Sequence, residues 1–169
     1  MGAALFSAGR YELPFGEGPL TLLPLPASQA EPLGTAFAAI DPWASYGASA
    51  ASISSYLAAE APGDVRFLLQ VDGAVAGAVG LQPIWLRGPY IRFLGVLPTF
   101  QRQGVGSAIV TWIEEQARTQ QQRNLWVVAS QINTDAVRFY ERHGFAQVAI
   151  FDALAYDDRN EILLRKRLA

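Results

Sequence analysis

The sequence predicts an α/β domain of the α+β kind, with a central mixed, mostly antiparallel sheet flanked by helices in the order β-α-α-β-β-β-α-β-α-β-β. Three observations predict it. Short apolar runs alternate with segments whose apolar positions recur at helical spacing. An Asp72-Gly73 pair between two such runs marks a tight hairpin, because Gly accepts the positive φ that a type I′ turn requires. Finally, 169 residues with 51% hydrophobic and 17% charged side chains suffice to bury one core without covalent staples.

Taken in order, residues 1–18, MGAALFSAGRYELPFGEG, are rich in small residues without a sustained period, so an irregular lead-in is expected before a single domain at 19–169. Leu20 to Leu25 is a short apolar strand bounded by Pro24 and Pro26. Ser28 offers an N-cap for a helix from Gln29 to Ile40, which Asp41-Pro42-Trp43 breaks. A second helix is expected from Ala48 to Glu60, with Ile53, Tyr56 and Leu57 on one face and Pro62, Gly63 and Asp64 at its end. The pattern then turns to three antiparallel strands: RFLLQV from Arg66, AVAGAVGLQPIWL after Asp72-Gly73, and YIRFLGVL after a turn at Arg87, Gly88 and Pro89.

Beyond Pro98 the helix carrying Val105, Ile109, Trp112 and Ile113 leads to the buried strand LWVVA. A last helix, Thr134 to Arg142, stops at Gly144. Two closing strands, Phe145 to Tyr156 and Glu161 to Leu168, complete the order.

Composition excludes several classes. With no cysteine there is no disulfide framework, thiolate nucleophile or Cys-type metal site, and one His leaves little for a metal. No metal is expected. The net charge of −2 and a pI near 5.4 give no global signal for nucleic acid. The apolar runs fall short of the ~18 residues of a membrane span, and Met1 to Phe6 lacks the basic start of a signal peptide, so a cytoplasmic location is expected.

The informative stretch is Leu94 to Ser107, LGVLPTFQRQGVGS, an apolar strand running through a turn into a Gly-bearing helix start. Gly104 and Gly106 remove side chains where backbone would approach a ligand. Unpaired N–H groups and the helix dipole there suit an anion, most naturally a phosphate. The same glycines equally suit a helix start loosened for packing. A Walker loop would need Gly-Lys-Ser/Thr where Gly106-Ser107 stands, and a dinucleotide fingerprint would need Gly in place of Ile109. What remains is Gln-x-x-Gly-x-Gly at Gln101, Arg102, Gln103, Gly104, Val105 and Gly106.

That pattern, together with NTDAVRFYERHGF from Asn133 to Phe145, resembles the GCN5-related N-acetyltransferase (GNAT) superfamily, most specifically over residues 90–146. The resemblance implies a GNAT-like fold in which the strand at Tyr90 to Leu97 bulges and splays from that at Leu125 to Ala129, with the pantetheine arm of acetyl-CoA in the wedge. Gly95 within a strand is independently a bulge or close-approach signal. The resemblance assigns the pantetheine contacts to the backbone of Leu94, Gly95 and Val96, with the Val96 N–H as oxyanion donor. It assigns the pyrophosphate to Gln101, Arg102, Gln103, Gly104, Val105, Gly106 and Ser107.

Asn133 would bond the pantetheine arm, and it reads equally as a helix N-cap. Tyr140 matches a tyrosine that protonates the leaving thiolate in many relatives; on an amphipathic helix it is otherwise half-buried core. Reference pKa values of about 10 for Tyr and about 8.5 for a thiol make full transfer uphill by roughly 2 kcal/mol, so a hydrogen bond to the developing thiolate is the firmer role.

No base for the acceptor is evident. Relatives that acetylate ribosomal-protein N-termini carry a glutamate where Val128 stands here, and Asp135 and Glu141 are expected to face solvent. His143, the single imidazole, reads as a helix-end residue. A missing base favours a low-pKa acceptor or a water chain, since an α-amino group is roughly 10% neutral at pH 7 and a lysine-like amine below about 0.1%. Of the aromatics Trp43, Tyr46, Tyr56, Trp85, Phe151 and Tyr156, only Trp43 and Trp85 are assigned to an acceptor pocket. The expectation is an acetyl-CoA-dependent N-acetyltransferase acting on a small-molecule or peptide amine by direct attack in a ternary complex. The alternative is a non-catalytic acyl-CoA-binding or sensing domain. A homodimer is compatible with the resemblance, and neither nucleic acid nor membrane is an expected partner.

Overall fold

The computed structural model describes residues 5–168; residues 1–4, the start of the expected lead-in, and 169 lie outside the described residues. The chain forms strands β1 (Tyr11–Phe15) and β2 (Gly18–Pro24), then helices α1 (Ala30–Ala38), α2 (Trp43–Tyr46) and α3 (Ala50–Ala58). Strands β3 (Val65–Val71), β4 (Ala74–Trp85) and β5 (Gly88–Val96) follow, then α4 (Val105–Thr119), β6 (Asn124–Ser130), α5 (Thr134–Arg142), β7 (Ala146–Tyr156) and β8 (Arg159–Arg167). The strands make one eight-stranded sheet in the order β1-β2-β3-β4-β5-β6-β8-β7, antiparallel everywhere except β5/β6.

Each face of the sheet has its own core. Phe67 and Leu69 of β3 join Ile109, Trp112 and Ile113 of α4 on one side, while Leu68, one residue out of phase, joins Phe37 of α1 and Ile53 and Leu57 of α3 on the other. The alternation follows from the two-residue strand period, and every such buried side chain contributes about 1.5–3 kcal/mol. The Asp72-Gly73 turn is as expected, with φ of 49° and 80°.

The irregular lead-in is corrected: residues 11–15 form β1, paired with β2 through a two-residue turn in which Gly16 takes φ 58°. Burial explains it, since Tyr11 lies edge-on to Phe67 and Trp112, with centroids 5.7 and 5.0 Å away. Ser28 does not cap α1; it sits in a 3-10 turn without a side-chain cap, and Ser49 caps α3 instead. The turn expected at Arg87-Gly88-Pro89 falls on Leu86 and Arg87, with φ of 44° and 65°, and Trp85 pairs with Gly88. The last strand begins at Arg159, two residues earlier than expected.

Candidate active site

Strands β5 and β6 pair only at Tyr90↔Trp126 and Ile91↔Val127. Past that point β6 continues against β8 alone, and β5 against β4 alone. The divergence has a local origin. Gly80 pairs with Phe93 but Leu81 pairs with Ile91, so Arg92 is an extra residue in β5, and a bulge bends its strand. The bulge is therefore at Arg92, not Gly95. Gly95 answers the other half of its signal: a Cβ there would meet the Phe37 ring at 2.6 Å.

The parted edge of β5 presents specific amides. Leu97 N–H donates to Ala76 O at 2.8 Å, and amides alternate sides along an antiparallel ladder. Gly95 thus faces β4, whereas Leu94 and Val96 face the wedge. The Val96 carbonyl accepts from Gln101 Nε2 at 2.9 Å, which fixes the loop that follows.

That loop is shaped for an anion. Arg102 has φ 61° and Gly104, the N-cap of α4, has φ 92°, so neighbouring amides converge in a concave nest. Among the described residues, the N–H groups of Arg102, Gln103, Gly104, Val105, Gly106 and Ser107 meet no hydrogen-bond acceptor; the first internal bond of α4 is Ala108 N–H to Gly104 O, 2.9 Å. Gly106 answers the packing reading, since a Cβ there would lie 3.3 Å from the Phe139 ring.

Wedge and nest open into one cavity of about 980 Å³. Leu94, Val96, Gln101, Arg102, Gly104, Val105, Gly106, Ser107, Asn133, Tyr140 and Trp43 line it. Gly95 and Gln103 do not, because Gly95 is directed at β4 and Phe37 while the Gln103 side chain donates back to Thr99 O at 2.7 Å. Asn133 caps α5, its Oδ1 accepting from Ala136 N–H at 3.1 Å, which leaves its NH₂ unengaged by that cap. Tyr140 is 7% exposed, and burial, with Tyr90 nearby, pushes its hydroxyl well above the ordinary range. It is a neutral phenol that can donate a hydrogen bond. His143 Nδ1 lies 2.8 Å from Phe139 O at the end of α5, the structural position expected.

Trp85 is a correction. It packs on Tyr90 and edge-on to Trp126, at 5.1 and 5.3 Å, and does not line the cavity. Its place on β4 is at the closed end, where Tyr90 and Trp126 still pair, whereas the cavity opens at the other end.

Glu161 was missed, and Tyr46 was among the aromatics not assigned to the pocket. Tyr46, from α2, lines the cavity beside Asn133 and Ser130, and burial pushes its hydroxyl above the ordinary value. Glu161 is a buried carboxylate lining the same cavity; burial raises its pKa above the ordinary value, and the Arg159 charge pulls it partway back. The available signal was an acid opening the apolar run EILL, since a charge at the head of such a run calls for an explanation.

The site is thus built on an open mixed sheet whose two central parallel strands part beside a nest of amides. The chain belongs to the Acetyltransferase (GNAT) family, whose sequence profile matches residues 32–145. The "Uncharacterized N-acetyltransferase in pepI 3'region" of Lactobacillus delbrueckii subsp. lactis is 29% identical over 115 residues, 63% of this chain and 66% of that relative's length. In fold the chain is similar to the ribosomal-protein-S18-alanine N-acetyltransferase of Escherichia coli, with TM-score 0.68 and 21% identity over 89% of this chain and 94% of the other. It is also similar to a Bacillus anthracis protein of the streptothricin acetyltransferase type, solved in complex with acetyl coenzyme A, with TM-score 0.57 and 18% identity over 65% of each chain.

Proposed function

We propose that the protein is an acetyl-CoA-dependent N-acetyltransferase that transfers the acetyl group to an amine by direct attack within a ternary complex. The observation that carries this reading is the pairing of β5 and β6 at only two positions, next to six unengaged amides. The amides of Arg102 to Ser107 would hold the pyrophosphate, with the Arg102 guanidinium adding charge. Leu94 and Val96 would pair with the pantetheine amides, and the Val96 N–H would stabilise the oxyanion that develops on the thioester carbonyl. The Tyr140 hydroxyl would donate a hydrogen bond to the departing sulfur.

No covalent intermediate on the protein is required, because a thioester is already activated and no Ser/His/Asp arrangement accompanies the cavity. Positioning and electrostatics supply the rate. Calorimetric titration with coenzyme A, and release of its thiol from acetyl-CoA across a panel of amines, test the proposal. Binding with amine-dependent release above background hydrolysis is expected. Binding without such release identifies an acyl-CoA-sensing domain, and absence of binding removes both readings.

A further inference from the structure

We infer that Glu161 receives the proton of the acceptor ammonium and, with Ser130, seats that ammonium in the cavity. The inference rests on the transferase reading above and supplies the base it lacks.

Glu161 is only 7% exposed and has no cation within ion-pairing distance among the described residues. The nearest cation on its own strand, Arg159, acts on Glu161 only from beyond ion-pairing distance: its Nε and Nη2 donate to the Asp158 carboxylate at 2.8 and 3.1 Å, its guanidinium lies 4.4 Å from the Tyr156 ring centroid, and its Nη1 meets no hydrogen-bond partner. A buried carboxylate without a counter-ion costs stability, so its retention calls for a ligand of opposite charge.

Ser130 supplies an independent observation. It is the register partner of Glu161 across β6/β8 and is 4% exposed, and its Oγ meets no partner with hydrogen-bond geometry. Both residues line the cavity, as does Tyr46 opposite them. A primary ammonium with three donors, set between these groups, would satisfy both the charge and the idle hydroxyl oxygen.

The step balances. R–NH₃⁺ gives one proton to the Glu161 carboxylate, and the freed lone pair forms the N–C bond at the thioester carbon. Collapse of the tetrahedral adduct breaks the C–S bond, and the second nitrogen proton ends on the coenzyme A thiol. Glu161 then returns its proton to solvent. The titratable and charged groups facing Glu161 are Tyr46 from α2, Tyr90 from β5 and Arg159 on β8, with the Ser130 hydroxyl from β6; its register partner on β7 is the apolar Phe151.

Glu161→Gln keeps the shape and removes the base. Phenethylamine, spermidine and a short peptide with a free N-terminus serve as probes, with thiol release read from pH 6 to 10 and coenzyme A affinity read by calorimetry. Unchanged coenzyme A affinity is expected, with kcat lower by about 10²-fold or more near neutral pH. The deficit should shrink at alkaline pH and be smaller for the peptide, whose α-amine of pKa about 8 loses its proton unaided more readily than alkyl amines. If Glu161→Gln does not fold, Glu161→Asp decides, with kcat at least about tenfold lower at unaltered coenzyme A affinity expected. Wild-type kcat with an unaltered pH profile in the variant overturns the role of Glu161 alone. Wild-type protein that binds coenzyme A and acetylates none of the probes overturns the transferase reading as well.

Discussion

Tyr140 and Glu161 share one cavity, and burial pushes both away from their charged forms. For Tyr140 this strengthens the case for a hydrogen-bond donor, because a phenol made less acidic is a poorer source of a complete proton. Tyr140→Phe should lower kcat by about 10²-fold with the acetyl-CoA KM little changed, as steady-state kinetics would show; an unchanged kcat removes Tyr140 from the chemistry. For Glu161 the shift sets a stability cost. A carboxyl raised in the folded state binds its proton more tightly there than in the unfolded chain. The cost is therefore absent below the ordinary carboxylate pKa, grows as pH rises through the folded value and is constant above it. Glu161→Gln should raise Tm by a few degrees at pH 7, with the gain disappearing near pH 4. Scanning calorimetry at the two pH values checks this, and equal effects at both would contradict it.

At the level of elements, α5 depends on its first residue. Asn133→Ala removes the bond to Ala136 N–H and should cost about 1 kcal/mol in urea unfolding. If the Asn133 amide also contacts pantetheine, coenzyme A affinity will fall by more than that helix destabilisation explains. Features set by neighbouring residues were legible in the sequence: the Asp72-Gly73 hairpin, the cap at Asn133 and the stop at Gly144, which has φ 84°. β1 was not, because Pro14 and three nearby glycines mask a strand whose stability comes from Tyr11 reaching Phe67 and Trp112 far along the chain. Glu161 and Trp85 were misjudged for a related reason. Which strand lies beside β6, and at which end the cavity opens, are facts of topology; β8 inserts between β6 and β7, and that brings Glu161 opposite Ser130. The wedge itself was legible only through the resemblance, since the bulge is at Arg92, which carries no local mark, while Gly95 is small to admit Phe37.

For the whole molecule, the sheet is two ladders, β1 to β5 and β6 to β8, joined by two residue pairs and bridged on one face by α4. Central strands ordinarily hold the amides that exchange last with deuterated solvent, because global unfolding is needed to expose them. Here that ranking should invert locally. Leu94 and Val96 stand mid-sheet in sequence order, yet their N–H bonds aim into an open gap. They should label within seconds while Phe93 and Gly95 beside them stay protonated for far longer, and coenzyme A should slow the first pair without altering the second. The middle of this sheet would then behave, to the isotope, like an edge.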